Sequence, residues 1–291
     1  MTLRSLPRPV KIAGTLTITG LALYALTQSR SSNTTETNPP GVFSQWGPKS
    51  LRVRSVDTVN HNTKRLVFEF PDARASSGLS LTSAVLTMCR PKGSWVPVIR
   101  PYTPISDLNN QGHLELMVKH YPNGKASTHI HTLKPGDTLT FLTSLRGFAW
   151  KPNQFPHVYL LAGGAGITPI YQLIRGIFNN SDDKTKVTLV FGVNTEEDLL
   201  LRSELEEYAR RFPDRFKYMY TVSRPVREDS PVRKGYVDEE VLGRVVERET
   251  MGRSKVFVCG PPAMEKALVG SWGKSGILDR LGWEKDQIFR F

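Results

Sequence analysis

The chain has 291 residues, 39% of them hydrophobic and 23% charged, with a net charge of +12. These are the values of a globular chain with room for two domains of ordinary size, not of a disordered one. Two cysteines, Cys89 and Cys259, exclude a disulfide framework or a metal quartet. The positive charge comes without an arginine-rich run, zinc-finger spacing or aromatic RNA-binding signature, and so points to acidic proteins or anionic lipid rather than nucleic acid.

Residues 1–30 read as a targeting or membrane-anchor segment. Arg4, Arg8, Lys11 and Arg30 lie there without any acid, so the remainder of the chain carries +8. Ile12 to Thr27 is uncharged. It is short of the roughly twenty residues of a transmembrane helix, and Val10 and Gln28 bring it close to that length. The acid-free basic start also suits a mitochondrial sequence, which predicts an outer-membrane or intermembrane-space setting with a single N-terminal anchor; a cleaved secretory signal is the rival reading. Residues 31–47 follow as a flexible linker, rich up to Pro40 in Ser, Thr, Asn and Pro.

From residue 48 to 153 the pattern is of short apolar or alternating runs separated by turn residues. Leu51–Val56, Arg65–Phe70, Leu81–Met88, Trp95–Ile99, His113–Val118 and Thr138–Leu142 are predicted strands. Six strands without long helices predict an antiparallel barrel. A short helix is expected over Thr128–Leu133. His129 and His131, two apart on that helix, face different sides and are read as surface residues, with no metal site.

Beyond residue 154 the period changes. His157–Ala162, Lys186–Phe191, Phe216–Val222 and Lys255–Cys259 read as strands, and Pro169–Phe178, Glu196–Arg211, Asp238–Glu247 and Pro262–Val269 as helices. This alternation predicts a parallel sheet, with ligands beyond the carboxyl ends of its strands. Two glycine turns fall at that edge. In Gly163-Gly164-Ala165-Gly166-Ile167-Thr168-Pro169 the glycines let backbone approach a ligand, Thr168 can cap the helix and Pro169 suits its first turn. Cys259-Gly260-Pro261-Pro262-Ala263-Met264 repeats the arrangement at a later strand.

Arg100-Pro101-Tyr102-Thr103-Pro104-Ile105-Ser106, followed by those two glycine motifs, resembles the ferredoxin-reductase-like flavoenzymes, and the NADH–cytochrome b5 reductase family in particular. The resemblance spans Leu51 to Phe291. It implies FAD as cofactor, NADH as substrate, and single-electron delivery to a haem protein such as cytochrome b5 by a monomeric enzyme. Arg100 would grip the flavin diphosphate through its planar fork, with Pro101 beside it. Tyr102 would lie against the isoalloxazine, and Thr103 would place its hydroxyl near the flavin N5. Val118, Lys119 and Tyr121 resemble a second flavin segment, and Gly124, Lys125, Ala126 and Ser127 a pyrophosphate cradle at a helix start.

In the second domain the resemblance assigns the nicotinamide nucleotide to Gly163, Gly164, Gly166, Thr168, Pro169, Gly260, Pro261, Pro262 and Met264, with Cys259 beside the nicotinamide. Asp198 would accept from the ribose 2′-OH and repel a 2′-phosphate, favouring NADH. Phe291 would cover the flavin ring. Thr103 and Cys259 are the expected catalytic residues. Three departures stand out: Thr82-Ser83-Ala84 replaces a Gly-Gln-His, Ala126 a methionine, and a loop at Leu142-Thr143-Ser144-Leu145 a Lys-Gly-Pro. Leu79–Leu86 and the run ending at Asp107 resemble the mitochondrial branch of fungal reductases. Another intermembrane-space acceptor, as in haem attachment to cytochrome c, and a catalytically silent membrane-tethered module are the alternatives.

Overall fold

The computed structural model describes residues 39–44, 47–91, 95–226, 230 and 232–291. The predicted anchor and most of the linker lie outside the described residues. Among the described residues no helix is long and apolar enough to cross a membrane. The end of the expected linker is pinned to the first domain. Val42 is buried, Phe43 packs against Phe70 and Phe141, and their amides donate to the Ser76 and Ser77 carbonyls at 3.0 and 2.9 Å. Two adjacent apolar side chains outweigh the polar composition around them.

Strands β1 (Lys49–Asn60), β2 (Thr63–Glu69), β3 (Ala84–Cys89), β4 (Val98–Tyr102), β5 (His113–Lys119) and β6 (Thr138–Leu145) form one antiparallel sheet, ordered β4-β3-β6-β1-β2-β5. Helix α1 (Lys125–Thr132) touches both edge strands, β4 and β5, and so closes the sheet into a barrel. Alternate side chains such as Leu66, Phe68, Leu114, Leu116 and Phe141 fill its interior, as the period of two requires.

Strands β1 and β2 start two residues earlier than the sequence reading has them, β1 also runs on to Asn60, and four further boundaries differ. Strand β3 starts at Ala84 because Thr82 sits in the left-handed region at φ 67°. Strand β4 starts at Val98, leaving Trp95 exposed, and continues through Tyr102. The expected loop at Leu142–Leu145 is the end of β6, where Leu145, Ser144 and Thr143 pair with Ala84, Val85 and Leu86. Helix α1 begins at Lys125 rather than Thr128.

The second domain runs β7 (His157–Gly163), α2 (Ile167–Asn179), β8 (Lys186–Val193), α3 (Arg202–Arg211), β9 (Phe216–Val222), β10 (Arg233–Lys234), α4 (Glu239–Val245), α5 (Arg248–Met251), β11 (Lys255–Cys259) and α6 (Pro262–Val269). A hairpin of β12 (Gly270–Ser271) and β13 (Lys274–Ser275), helix α7 (Ile277–Arg280) and β14 (Ile288–Arg290) complete it. The main sheet is parallel throughout, ordered β10-β9-β8-β7-β11-β14, so the strand order reverses at β7. A reversal of this kind opens a crevice at the carboxyl edge.

The expected Glu196–Arg211 helix is interrupted. A single 3-10 turn, Glu196–Asp198, is followed by Leu199, Leu200 and Leu201, all buried, with Leu201 at φ 57°. Consecutive helical residues point about 100° apart, so three successive leucines cannot share one buried face of a helix. The expected Asp238–Glu247 helix is trimmed at both ends, because Asp238 stays outside and its carboxylate accepts from the Val241 amide at 2.9 Å.

The two domains share a core. Ile105 and Met117 of the barrel pack in the same apolar cluster as Ile167, Ile170 and Ile174 of α2. Gln172 of α2 is 2% exposed, and its amide nitrogen donates to the Ser83 and Pro104 carbonyls at 3.3 and 3.2 Å. Arg175, one turn on, donates to the Ile105 carbonyl and pairs with Asp107 at 3.3 Å. Gln172→Ala strands two buried carbonyl groups, so the stability of the full-length protein in urea should fall by on the order of 2 kcal/mol, with the domains still unfolding in one transition.

Candidate active site

The barrel places its candidate residues where α1 meets the two edge strands. Arg100 and Tyr102 lie on β4, in register with Thr87 and Val85 of β3, and Thr103 follows at the strand end. The Arg100 side chain is exposed, and among the described residues its Nη1 donates to the neighbouring Ile99 carbonyl at 2.7 Å. Pro101 is exposed beside it. Tyr102 is half-buried; burial first, then nearby Cys89, push its phenol up to about 12, so it stays neutral.

Gly124 is the N-cap of α1 and offers no side-chain cap, and the first turn holds no acid. The Lys125, Ala126 and Ser127 N–H groups are therefore not met by a capping side chain or carboxylate. Only backbone is on offer there. The Ser127 hydroxyl is already committed, donating to the Gly124 carbonyl at 3.0 Å and accepting from the Tyr121 amide at 3.2 Å, and Ala126 packs into the barrel core. Gly124 must be glycine, since a Cβ would lie 2.4 Å from Ser127 Oγ. An exposed arginine beside an uncapped helix start fits the diphosphate of FAD, and an amphipathic tyrosine beside them fits its ring.

Three expectations for this half change. Val118 is buried in the barrel core, and its carbonyl accepts from His131 Nε2 at 2.8 Å, so it has no side chain to give a cofactor. That bond also makes His131 a half-buried structural residue, its ring 5.3 Å from His120, and His129, expected at the surface, is half-buried too. Lys119, expected along the flavin, instead donates to Asp198 of the second domain at 2.7 Å.

At the carboxyl edge of the parallel sheet the two glycine turns pack against each other. Cys259 pairs in register with Ala162, which sets the Gly163–Gly166 turn against Cys259–Gly260. A Cβ at Gly166 would lie 2.3 Å from the Cys259 carbonyl, and one at Gly163 would lie 2.5 Å from Met264 Sδ. Gly166 is thus required by turn-to-turn packing, Gly163 lies against Pro261 as well as Met264, and Gly260 lies against Met264. Gly164 differs, with φ +52° and nothing within 4 Å of a Cβ, so it faces open space.

Thr168 does not cap α2. The N-cap is Gly166, and Thr168 lies inside the helix with its hydroxyl donating to the Ala165 carbonyl at 3.2 Å. Pro169 sits in the first turn as expected, and Pro261 and Pro262 likewise open α6. Phe291 lies beside Phe257 and Phe289 at ring separations of 6.0 and 5.3 Å, its amide held by the Val258 carbonyl.

Burial, then nearby Glu265, push the Cys259 thiol up to about 12. Burial, then the fields of Cys259 and Asp198, also raise the Tyr121 phenol, although the side chain is 48% exposed. Asp198 is 4% exposed and engaged within the protein. Its Oδ1 accepts from Lys119 at 2.7 Å and Asn62 at 3.1 Å, and its Oδ2 from the Thr195 amide and hydroxyl, both at 3.3 Å. The contributions of Asn62 and Gln172 went unread in the sequence, where one looks like a turn residue and the other like a helix residue.

A barrel with an anion cradle at its edge, joined to a parallel sheet with a nucleotide crevice, defines an FAD- and NAD-binding oxidoreductase. The oxidoreductase FAD-binding domain family matches residues 50–150 and the oxidoreductase NAD-binding domain family residues 160–269. NADH-cytochrome b5 reductase 2 of Pyricularia oryzae is 48% identical over 249 residues, 83% of this chain and 75% of that protein. Its namesake in Emericella nidulans is 43% identical over 292 residues, 97% of this chain and 90% of that one. The chain belongs to the NADH–cytochrome b5 reductase family. Among solved structures, the cytochrome b5 reductase domain of Ulva prolifera nitrate reductase is similar at a TM-score of 0.77 and 27% identity, over 88% of this chain and 100% of that one.

Two outcomes follow for the site. Because the raised Cys259 thiol stays protonated, iodoacetamide labelling at neutral pH should be far slower than for a free cysteine, and the NADH-dependent rate should show no thiol inflection up to about pH 9. Gly164→Ala should leave flavin content intact, because the left-handed backbone costs a non-glycine residue only about 1–2 kcal/mol, but should raise the KM for NADH several-fold.

Proposed function

We propose that this protein takes hydride from NADH onto bound FAD and delivers the electrons one at a time to cytochrome b5. The observation that carries the reading is convergence. Arg100, Tyr102 and Thr103 lie on and just after β4, which touches α1, the two glycine turns meet at the carboxyl edge of the parallel sheet, and Lys119 of the barrel reaches Asp198 of the nucleotide domain. FAD, when bound, supplies the conversion between a two-electron donor and a one-electron acceptor.

The protein's own residues bind, orient and exclude water. Arg100 and the α1 N–H groups hold the diphosphate. Tyr102 packs on the flavin, and Thr103 offers a hydroxyl at its reactive edge. The Gly163–Gly166 turn and Cys259 hold the nicotinamide against it, since hydride transfer requires reacting atoms about 3–3.5 Å apart. Tyr102, Tyr121 and Cys259, held protonated, place no anion there.

The acceptor and setting belong to the same proposal. A net charge of +8 outside residues 1–30 suits an acidic haem protein meeting the flavin edge. The uncharged, cation-flanked stretch Ile12–Thr27 suits a single N-terminal anchor in the mitochondrial outer membrane or intermembrane space.

Arg100→Ala removes a charge-assisted contact worth about 2–3 kcal/mol, so the variant should purify with FAD affinity weakened by roughly two orders of magnitude, read from flavin fluorescence on dialysis. Full-length protein that purifies colourless and takes up no FAD contradicts the proposal. For the acceptor, the second-order rate of cytochrome b5 reduction should fall clearly as salt rises from about 0.01 to 0.1 M, over which the screening length drops from about 30 to 10 Å. Reduction of an uncharged dye should change less. A flat profile with cytochrome b5 points to a different physiological acceptor.

A further inference from the structure

Where β1 runs, the outer face of the barrel is polar, with Arg52 and Arg54 exposed, as suits an antiparallel sheet that packs on one side and meets water on the other. At β3 and β4 it is not. Val85 and Cys89 of β3 and Val98 and Tyr102 of β4 pack on the barrel core, so alternation turns Leu86, Met88, Ile99 and Pro101 outward. Met88 is in register with Ile99 and Leu86 with Pro101, so the four form one apolar face. Ile99 is 40% exposed, and just before β4 Trp95 and Val96 are 95% and 70% exposed. Single apolar residues in water are ordinary, but a group of them on one face marks a contact surface.

Charge and place together say what covers it. Residues 73–106 contain no acid, and Arg90, Lys92 and Arg100 fall among the residues of the patch. Arg90 is exposed where β3 ends. An apolar centre with a cationic rim fits an acidic protein. As to place, β4 is the edge strand of its sheet, paired with β3 alone, and it also carries Arg100 and Tyr102. A flavin held along that edge borders the patch with no further strand between them.

We infer that the outward face of β3 and β4, with Trp95 as its anchor, is the docking surface for the acidic haem protein that takes electrons from the flavin. Its role rests on the flavin reductase reading of the cleft, to which it adds the surface and the kind of contact. The apolar centre sets affinity, and the basic rim sets the rate of encounter. A tryptophan suits the anchor, since it buries a large area at little conformational cost. A bilayer is the other surface that tryptophan beside cations would suit. The position of the patch along the flavin-binding strand favours the haem protein.

The test uses full-length, flavin-loaded protein with Trp95→Ser, Ile99→Ser and Arg90→Glu. Trp95 stands in solvent, so its loss should leave the fold, the flavin content and the rate of flavin reduction by NADH unchanged. Two readouts are taken: the KM for cytochrome b5 alongside the rate with an uncharged dye, and the Kd for oxidised, isotope-labelled cytochrome b5 by NMR without coenzyme. Trp95→Ser should raise KM and Kd roughly tenfold, as loss of an aromatic anchor does. That factor should be the same at about 0.01 and 0.1 M salt, because apolar contact is not screened. Ile99→Ser should act in the same way to a smaller degree. Arg90→Glu should raise both several-fold at the lower salt and less at the higher. The dye rate should hold steady in all three.

Unchanged KM and Kd in Trp95→Ser overturn the inference, and if that variant also binds phosphatidylserine vesicles less tightly than wild type, the patch belongs to a membrane instead. A dye rate that falls in step with the cytochrome rate overturns it too, since Trp95 would then support the flavin site rather than the acceptor. So does wild-type protein that cytochrome b5 fails to bind. A wild-type protein that binds no flavin would refute the reductase reading, and the NMR arm, which needs no flavin chemistry, would still decide whether the patch holds the haem protein.

Discussion

The parallel pairing of β7 with β11 is the constraint on which the rest of the molecule depends. It sets Ala162 opposite Cys259 and forces two glycine turns into contact, so close that a Cβ at Gly166 would lie 2.3 Å from the Cys259 carbonyl. With the turns fixed, Gly164 is left facing open space and Cys259 is held at the floor of the crevice. The same turn launches α2, whose Gln172 and Arg175 reach the Ser83, Pro104 and Ile105 carbonyls of the barrel. One strand register therefore sets the nucleotide crevice and, through α2, the position of the flavin-binding half.

The electrostatics of the cleft divide along the same line. Fixed positive potential is confined to the phosphate end, where Arg100 and the uncapped α1 start stand together. Tyr102, Tyr121 and Cys259 are neutral at physiological pH, and burial raises their pKa values further. A carboxylate does lie nearby, but Asp198 is matched with Lys119 and presents no net charge to the cleft. Hydride transfer is served by this arrangement, since orientation and exclusion of water count for more there than an acid or base.

Much of this was legible in the sequence, because local chemistry dictated it. The six-strand count of the first domain, the alternation of the second, and the strands Phe216–Val222 and Lys255–Cys259 follow from hydrophobic periodicity alone. The RPYT run and both glycine turns were read through their resemblance to a family, and the structure packs the two glycine turns against each other. What stayed hidden was the destination of side chains. The letters of Lys119 and Asp198 say that each is charged, not that they meet across 79 residues. Gly163, Gly166 and Gly260 looked like ligand contacts because close backbone approach to a ligand and close approach between turns demand the same residue. Thr82, at φ 67°, and Leu201, at φ 57°, carry side chains that ordinarily avoid such backbone, so the breaks they make in β3 and before α3 had no local signal.

The most direct measurement of the account is an anaerobic titration of full-length protein with NADH, followed through the visible absorbance of bound flavin. The account predicts that one equivalent of NADH bleaches the flavin band within the dead time of manual mixing, and that oxidised cytochrome b5 then restores it as two equivalents of the haem protein are reduced. A flavin band that NADH leaves unchanged, or a bleached band that cytochrome b5 does not restore, would contradict it.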